Sequence, residues 1–181
     1  MVAGLEVLEE DPRNHPCDTY LAYINLLLTW NKAYSLTAID SEESMLPHHI
    51  LDSLTILPHL HGVLCLDVGT GAGLSGFILA LARSQLKWML LNSNKKIRFL
   101  NQAILALRPE NVKTVYSRIE DYQPGIKFST VICMTLTSLA SFRKAALPLL
   151  HENGRFLVMK GSRPEKELAE LESLDLSYSI H

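Results

Sequence analysis

No apolar run in this chain approaches the ~20 residues that a membrane-spanning helix requires; runs such as Leu86–Leu91 are strand-sized. The first residues are acidic and lack the basic stretch of a secretory leader, so none is expected. Cysteine is scarce. Cys17, Cys65 and Cys133 lie far apart, and the last two sit inside apolar, strand-like runs. That pattern excludes a disulfide scaffold and predicts small buried residues in a reduced, cytoplasmic compartment. The pair His48-His49 lacks the accompanying ligands of a metal site, so no metal is expected. With 181 residues, 20 % charged and 48 % hydrophobic, the chain has room for one domain with a helical extension.

The net charge of −2 conceals two opposed segments. Residues 1–60 carry nine acidic side chains against Arg13 and Lys32. Residues 83–118 carry eight basic ones against Glu110. A basic segment of this kind either meets a polyanion such as RNA or forms a solvated helix face with strand ends, and charge alone does not choose.

Apolar positions 20, 21, 24, 27 and 28 have helical spacing. The aromatics between Tyr20 and Trp30 are read as core packing rather than base stacking. Residues 42–60 form a second helical region, broken at Pro47 and ended near Pro58. Residues 1–60 therefore read as an N-terminal helical extension, and residues 61–181 as one α/β domain. In the latter, strands are predicted over 63–67, 87–92, 112–116, 128–134 and 155–160, with helices over 75–84, 94–107, 138–150 and 164–173. Asn94 is a candidate N-cap, and Asn153-Gly154 signals a turn before the fifth strand. Short strands separated by helices imply a doubly wound, mainly parallel sheet. Residues 174–181 alternate loosely, as a sixth strand would. No residues then remain for the second arm of the hairpin that commonly closes such a sheet, so that hairpin is expected to be incomplete.

Residues 63–76, Val-Leu-Cys-Leu-Asp-Val-Gly-Thr-Gly-Ala-Gly-Leu-Ser-Gly, carry the most chemistry. An apolar strand ends in Asp67, and a glycine-rich turn leads into a helix. Gly71 to Gly76 match the G-x-G-x-x-G dinucleotide fingerprint. Asp67 to Gly73 match D-x-G-x-G-x-G, the turn of S-adenosylmethionine-dependent methyltransferases. A carboxylate suits a cationic, amino-acid-bearing cofactor and repels a pyrophosphate, which favours the second reading and keeps a nicotinamide-dependent oxidoreductase as the alternative. Asn92, at the end of the second strand, offers one acceptor and one donor where a carboxylate would offer acceptors to both ribose hydroxyls. It is either a ribose ligand or a turn residue. Lys95, Lys96 and Arg98 face either phosphate or solvent. His49 and Asp52, three apart on one helical face, are read as a structural hydrogen bond tying the helical cap to the sheet.

A series of motifs in order is more specific. Trp30-Asn31, Ser35-Leu-Thr-Ala-Ile39, His49-Ile-Leu-Asp-Ser-Leu54, Asp67–Gly76, Lys95-Lys-Ile-Arg-Phe-Leu100, Ser117-Arg-Ile-Glu-Asp121 and Met159-Lys-Gly161 span residues 20–165. This series resembles the bacterial small-subunit ribosomal RNA guanine-N7 methyltransferase family, also called the glucose-inhibited division protein B family. The resemblance implies a class I methyltransferase (Rossmann-like) fold, S-adenosyl-L-methionine as cofactor, and methylation of one guanine of 16S ribosomal RNA or the small ribosomal subunit at N7. It also implies that Asp67, Gly69, Gly71 and Leu74 surround the methionine and ribose part of the cofactor. Asn92 takes the ribose position, and Ile119 and Glu120 flank the adenine. Met134 stands where the family has an arginine near the cofactor. Lys160, after the fifth strand, either contacts the RNA backbone or base or is a strand-end lysine in solvent. No acid–base residue is required, and one compact domain gives no reason to invoke a dimer. The chain differs from the family at Ser35 (Asn), Ser75 (Pro), Asn92 (an acid) and Met134 (Arg). A relative that keeps the fold and binds RNA without catalysis is the second reading.

Overall fold

The computed structural model describes residues 1–134, 138–161, 165, 167, 179 and 180. Five strands form one sheet: β1 (Leu64–Val68), β2 (Lys87–Asn92), β3 (Val112–Tyr116), β4 (Phe128–Met134) and β5 (Leu150–Met159). Their order is β3-β2-β1-β4-β5, and every neighbouring pair is parallel. The central strands are apolar on both faces, as a sheet covered on both sides requires. Cys65, Leu66, Leu90, Val131 and Ile132 are each at most 1 % exposed.

Ahead of the sheet come α1 (Val2–Val7), α2 (Cys17–Tyr34), α3 (Glu42–Met45) and α4 (Asp52–Leu54), followed by α5 (Gly76–Ala82), α6 (Ile97–Leu107) and α7 (Leu139–Ala146). One face of the sheet is covered by α2, α5 and α6, through Tyr23, Leu27, Phe77 and Phe99. The other face packs on α7 through Phe142 and Ala146. The buried face of α2 comprises Tyr20, Tyr23, Ile24 and Leu27, close to the predicted stripe. Glu10 accepts hydrogen bonds from Arg83 and pairs with the buried His15, which fastens the segment after α1 to the end of α5.

Three expectations are corrected. Pro47 does not break the second helical region; the chain continues from α3 to α4 through a wide π-type turn over Leu46–Leu51. A proline on the first turn of a new segment has no amide hydrogen to lose. The fifth strand begins at Leu150 rather than 155, because Asn153-Gly154 is absorbed as an irregularity inside it. Phe128 pairs with Leu150, yet Thr130 already pairs with Arg155. Third, His49 does not bond Asp52. Its Nε2 lies 2.9 Å from the Thr37 hydroxyl, and Asp52 is exposed. The predicted helix 164–173 and sixth strand 174–181 lie largely outside the described residues. Ser179 and Ile180, which are described, are not in a strand.

Candidate functional site

The carboxyl ends of β1, β2, β3 and β4 open on one edge, and the turn after β1 sits in the middle of it. Gly69, Gly71 and Gly73 all have positive φ, at 70°, 59° and 85°. This backbone is held from below. The Gly69 and Thr70 amides donate to the Leu91 carbonyl at 2.9 and 3.1 Å. Asn92 Nδ2 donates to the Gly71 carbonyl at 3.0 Å, and the Tyr23 hydroxyl donates to Ala72 O at 2.6 Å. The Ser53 hydroxyl donates to Leu74 O and to His49 O. Helix α2, helix α4 and β2 thus fix the carbonyls of Ala72, Leu74 and Gly71 in one turn. Tyr23 is fully buried, and burial pushes its phenol pKa upward, so it remains a donor.

Asp67 lies beneath the turn and is 0 % exposed. Its Oδ2 accepts from the Ser75 hydroxyl and the Gly76 amide, both at 2.8 Å. Among the described residues, its Oδ1 and the Thr70 hydroxyl are buried with no partner in good hydrogen-bond geometry, although the Thr70 hydroxyl is near enough to favour the ionised carboxyl. Burial raises the Asp67 pKa above the usual carboxylate range, against the pull of those hydrogen bonds. The close approach requires glycine at 76, where a Cβ would stand 2.6 Å from Asp67 Oδ2 and 2.6 Å from Leu90. Asp67 therefore acts inside the turn and offers no exposed face.

Above the turn is a cleft of about 300 Å³. Of the residues predicted for a cofactor, Gly69, Asn92, Ile119 and Glu120 line it. Gly69 is exposed, and a Cβ there would meet nothing within 4 Å, so the cleft reaches bare backbone. Asn92 is 3 % exposed; its amide nitrogen is committed to Gly71, and its Oδ1 accepts weakly from the Asn94 amide at 3.4 Å. Gly71 and Leu74 bound the turn but do not line this cleft. Met134 ends β4, next to β1, and is half-buried beside its strand partner Met159. Lys160, just past β5, is ion-paired with Glu167 at 2.9 Å, and Glu167 also accepts from the Leu139 amide. Sequence reasoning did not single out Val68, Leu91, Ser93, Ser117 or Arg118 as individual ligands, although all five line the cleft. The available signal was positional: each ends or follows one of the strands β1 to β3, where open α/β sheets bind ligands.

Among the described residues, no three His, Cys, Asp or Glu side chains converge on a metal-sized site. Among them also, no helix is long and apolar enough to cross a membrane.

The family model GidB, rRNA small subunit methyltransferase G, matches residues 17–179. The chain is 44 % identical over 162 residues to ribosomal RNA small subunit methyltransferase G of Coxiella burnetii (strain RSA 331 / Henzerling II), covering 89 % of this chain and 78 % of that one. It is 46 % identical over 155 residues to the protein of the same name from Alkalilimnicola ehrlichii, covering 85 % and 70 %. Among solved structures, it superimposes on precorrin-6y C5,15-methyltransferase from Geobacter metallireducens with a TM-score of 0.54 at 13 % identity, over 79 % of this chain and 73 % of that one. The glycopeptide N-methyltransferase MtfA, complexed with S-adenosyl-L-methionine, gives 0.51 at 12 % identity over 59 % and 52 %. These structures share the class I methyltransferase fold with the chain.

Proposed function

The chain belongs to the rRNA small subunit methyltransferase G family, and we propose that it methylates N7 of a guanine in 16S ribosomal RNA with S-adenosyl-L-methionine. The observation that carries this reading is the cleft at Gly69. In a chain of this family, bare backbone in a left-handed conformation opens at the sheet edge where such folds bind their cofactor.

The residues present fit that cofactor. Gly69 and Asn92 would hold its methionine and ribose part, while Ile119 and Glu120 flank the adenine. Asp67, Gly71 and Leu74 contribute by fixing the turn, and Met134 borders it from β4. When bound, S-adenosyl-L-methionine supplies an electrophilic methyl group on a sulfonium. Guanine N7 presents an in-plane lone pair and no proton, so the protein needs no general base, and placement governs the rate. The rigid turn supplies that placement: three of its carbonyls are anchored by Asn92, Tyr23 and Ser53. A loop or single-stranded target, whose base can be splayed out, suits an open sheet edge. Lys160 would meet RNA only on leaving Glu167. Three unpaired thiols support a cytoplasmic home, where ribosomal RNA resides.

The test is methyl transfer to unmodified small ribosomal subunits, with mass mapping of the product. One N7-methylguanosine in 16S ribosomal RNA is expected. Methylation of another atom, or none, overturns the assignment.

A further inference from the structure

A second cavity, of about 420 Å³, lies between the last turn of α2 and the start of α6. Trp30, Tyr34 and Leu36 form one wall; Lys95, Arg98 and Phe99 form the other. It adjoins the cofactor cleft, since Ser93 lines the cleft and the next residue, Asn94, lines this groove. Both therefore open from the one loop at the carboxyl end of β2.

The groove is built, not frayed. The Trp30 ring stacks on Tyr34 at 5.1 Å with 28° between planes, and Phe99 braces Trp30 at 5.9 Å and 62°. The loop beneath is fixed by Lys96 Nζ donating to Leu36 O at 2.9 Å. Asn31 adds to this, accepting from the Thr37 amide at 2.9 Å and donating to Ile39 O at 3.3 Å. Yet Tyr34 is 58 % exposed, so its outer face is left to solvent. Lys95 and Arg98 are exposed, and among the described residues neither is ion-paired, whereas Arg13, Arg83 and Lys160 each hold a carboxylate. A braced aromatic face bordered by two uncommitted cations is the combination that holds single-stranded nucleic acid: the ring stacks a base and the cations neutralise its phosphates.

We propose that this groove is a nucleobase-stacking subsite outside the cofactor cleft, in which Tyr34, backed by Trp30, stacks one base of single-stranded RNA while Lys95 and Arg98 hold the adjoining phosphates. The inference rests on the RNA reading above and adds to it a second point of grip, beside the base to be methylated.

An oligoadenylate decamer, which contains no guanine, is the probe, with an abasic ribose-phosphate decamer as its control. Trp30 reports directly through fluorescence, because the second tryptophan, Trp88, is 2 % exposed. The decamer is expected to quench Trp30. Tyr34→Ala weakens its binding by roughly ten-fold, the scale of one lost base stack, and Tyr34→Phe restores it. Binding of the abasic decamer is unchanged in Tyr34→Ala. Lys95→Gln/Arg98→Gln lowers the binding of both decamers and flattens the slope of log K against log salt by about 1.4, or ~0.7 per phosphate contact on a single strand. Thermal melting of each variant reports its folding. Unaltered decamer affinity in Tyr34→Ala, or equal binding of the decamer and its abasic control, overturns the subsite. The methyl-transfer assay separates the two readings. Transfer by the unaltered protein with no change of KM or decamer affinity in Tyr34→Ala defeats the subsite alone. Absence of transfer with the decamer results intact defeats the reaction assignment alone.

Discussion

Ser75 replaces the proline of the resembled family, and in the structure its hydroxyl donates to the Oδ2 of a carboxylate that has no access to water. The Gly76 amide donates to the same oxygen at 2.8 Å. Removing one partner from a buried charged group costs about 1–3 kcal/mol, so Ser75→Ala should lower the melting temperature by roughly 2–10 °C for a chain of this size, as scanning calorimetry would record. An unchanged melting temperature would show that the hydroxyl is dispensable. Asn92 leads to a less intuitive expectation. From sequence, an acid at this position looks like an improvement, because a carboxylate would accept from both ribose hydroxyls. In the structure the amide nitrogen is already donating to Gly71 O, and a carboxylate cannot donate. Asn92→Asp therefore sets an oxygen against a carbonyl oxygen and should destabilise the unliganded protein by about 1–2 kcal/mol, measured by urea denaturation. Equal stability of the two forms would contradict the tether. Both residues show where the sequence was ambiguous. The sequence placed Asp67 and Asn92 near the ends of the first two strands, where the structure has them, but one-dimensional spacing does not say whether a short polar side chain turns outward to a ligand or inward to its own turn.

The helices and strands were legible to different degrees, for reasons of packing. The three inner strands β1, β2 and β4 were readable within a residue or so, because burial on both faces leaves a largely apolar run; β3, at one edge, was readable from its β-branched residues Val112, Thr114 and Val115. The edge strand β5 was not, since its first residues are exposed and its turn signal lies within the pairing. The stretch around Pro47 was misread because a proline excludes an ordinary helical hydrogen bond but permits the six-residue π-type turn seen here. That turn makes a pH-dependent contact. His49, 9 % exposed, meets Thr37 through Nε2 and the His48 carbonyl through Nδ1. Burial holds its pKa below the ordinary value of 6.5; the backbone contact and the charge of Asp52 oppose this, and His48 adds to it. A histidine whose pKa is lowered by folding binds its proton more tightly when unfolded. Its stabilising contribution is thus full above pH 6.5 and disappears as pH falls through its lower folded value. Melting temperatures at pH 7.5 and 5.5 should therefore differ more for the unaltered protein than for His49→Asn. Identical differences would remove His49 from the account.

At the scale of the whole molecule, the counted charges overstated the available ones. Of the eight basic residues in 83–118, Arg83 is spent on Glu10 and Lys96 on a carbonyl, while Lys95, Arg98 and Arg118 stay exposed along the ligand-binding edge. The sheet order itself follows from the alternation of strands and helices, but the choice of cofactor does not, because two fingerprints overlap on the same glycines. The three-dimensional arrangement separates them. A pyrophosphate-binding turn needs the first amides of the following helix to be free, so that they point at the phosphate. Here the first amide of α5, that of Gly76, is consumed by the Asp67 carboxylate, and the acid lies under the place a pyrophosphate would occupy. A sulfonium cofactor carries no pyrophosphate and makes no such demand on the first amides of α5. S-Adenosyl-L-methionine at a hundred times its dissociation constant should add about 2.7 kcal/mol to stability, which corresponds to an upward shift of roughly 5–10 °C in melting temperature. NADH at the same concentration should give none, because it would have to displace Asp67 from α5 and leave the Ser75 hydroxyl and the Gly76 amide without their acceptor. A thermal shift with NADH and none with S-adenosyl-L-methionine would reverse the assignment of the turn.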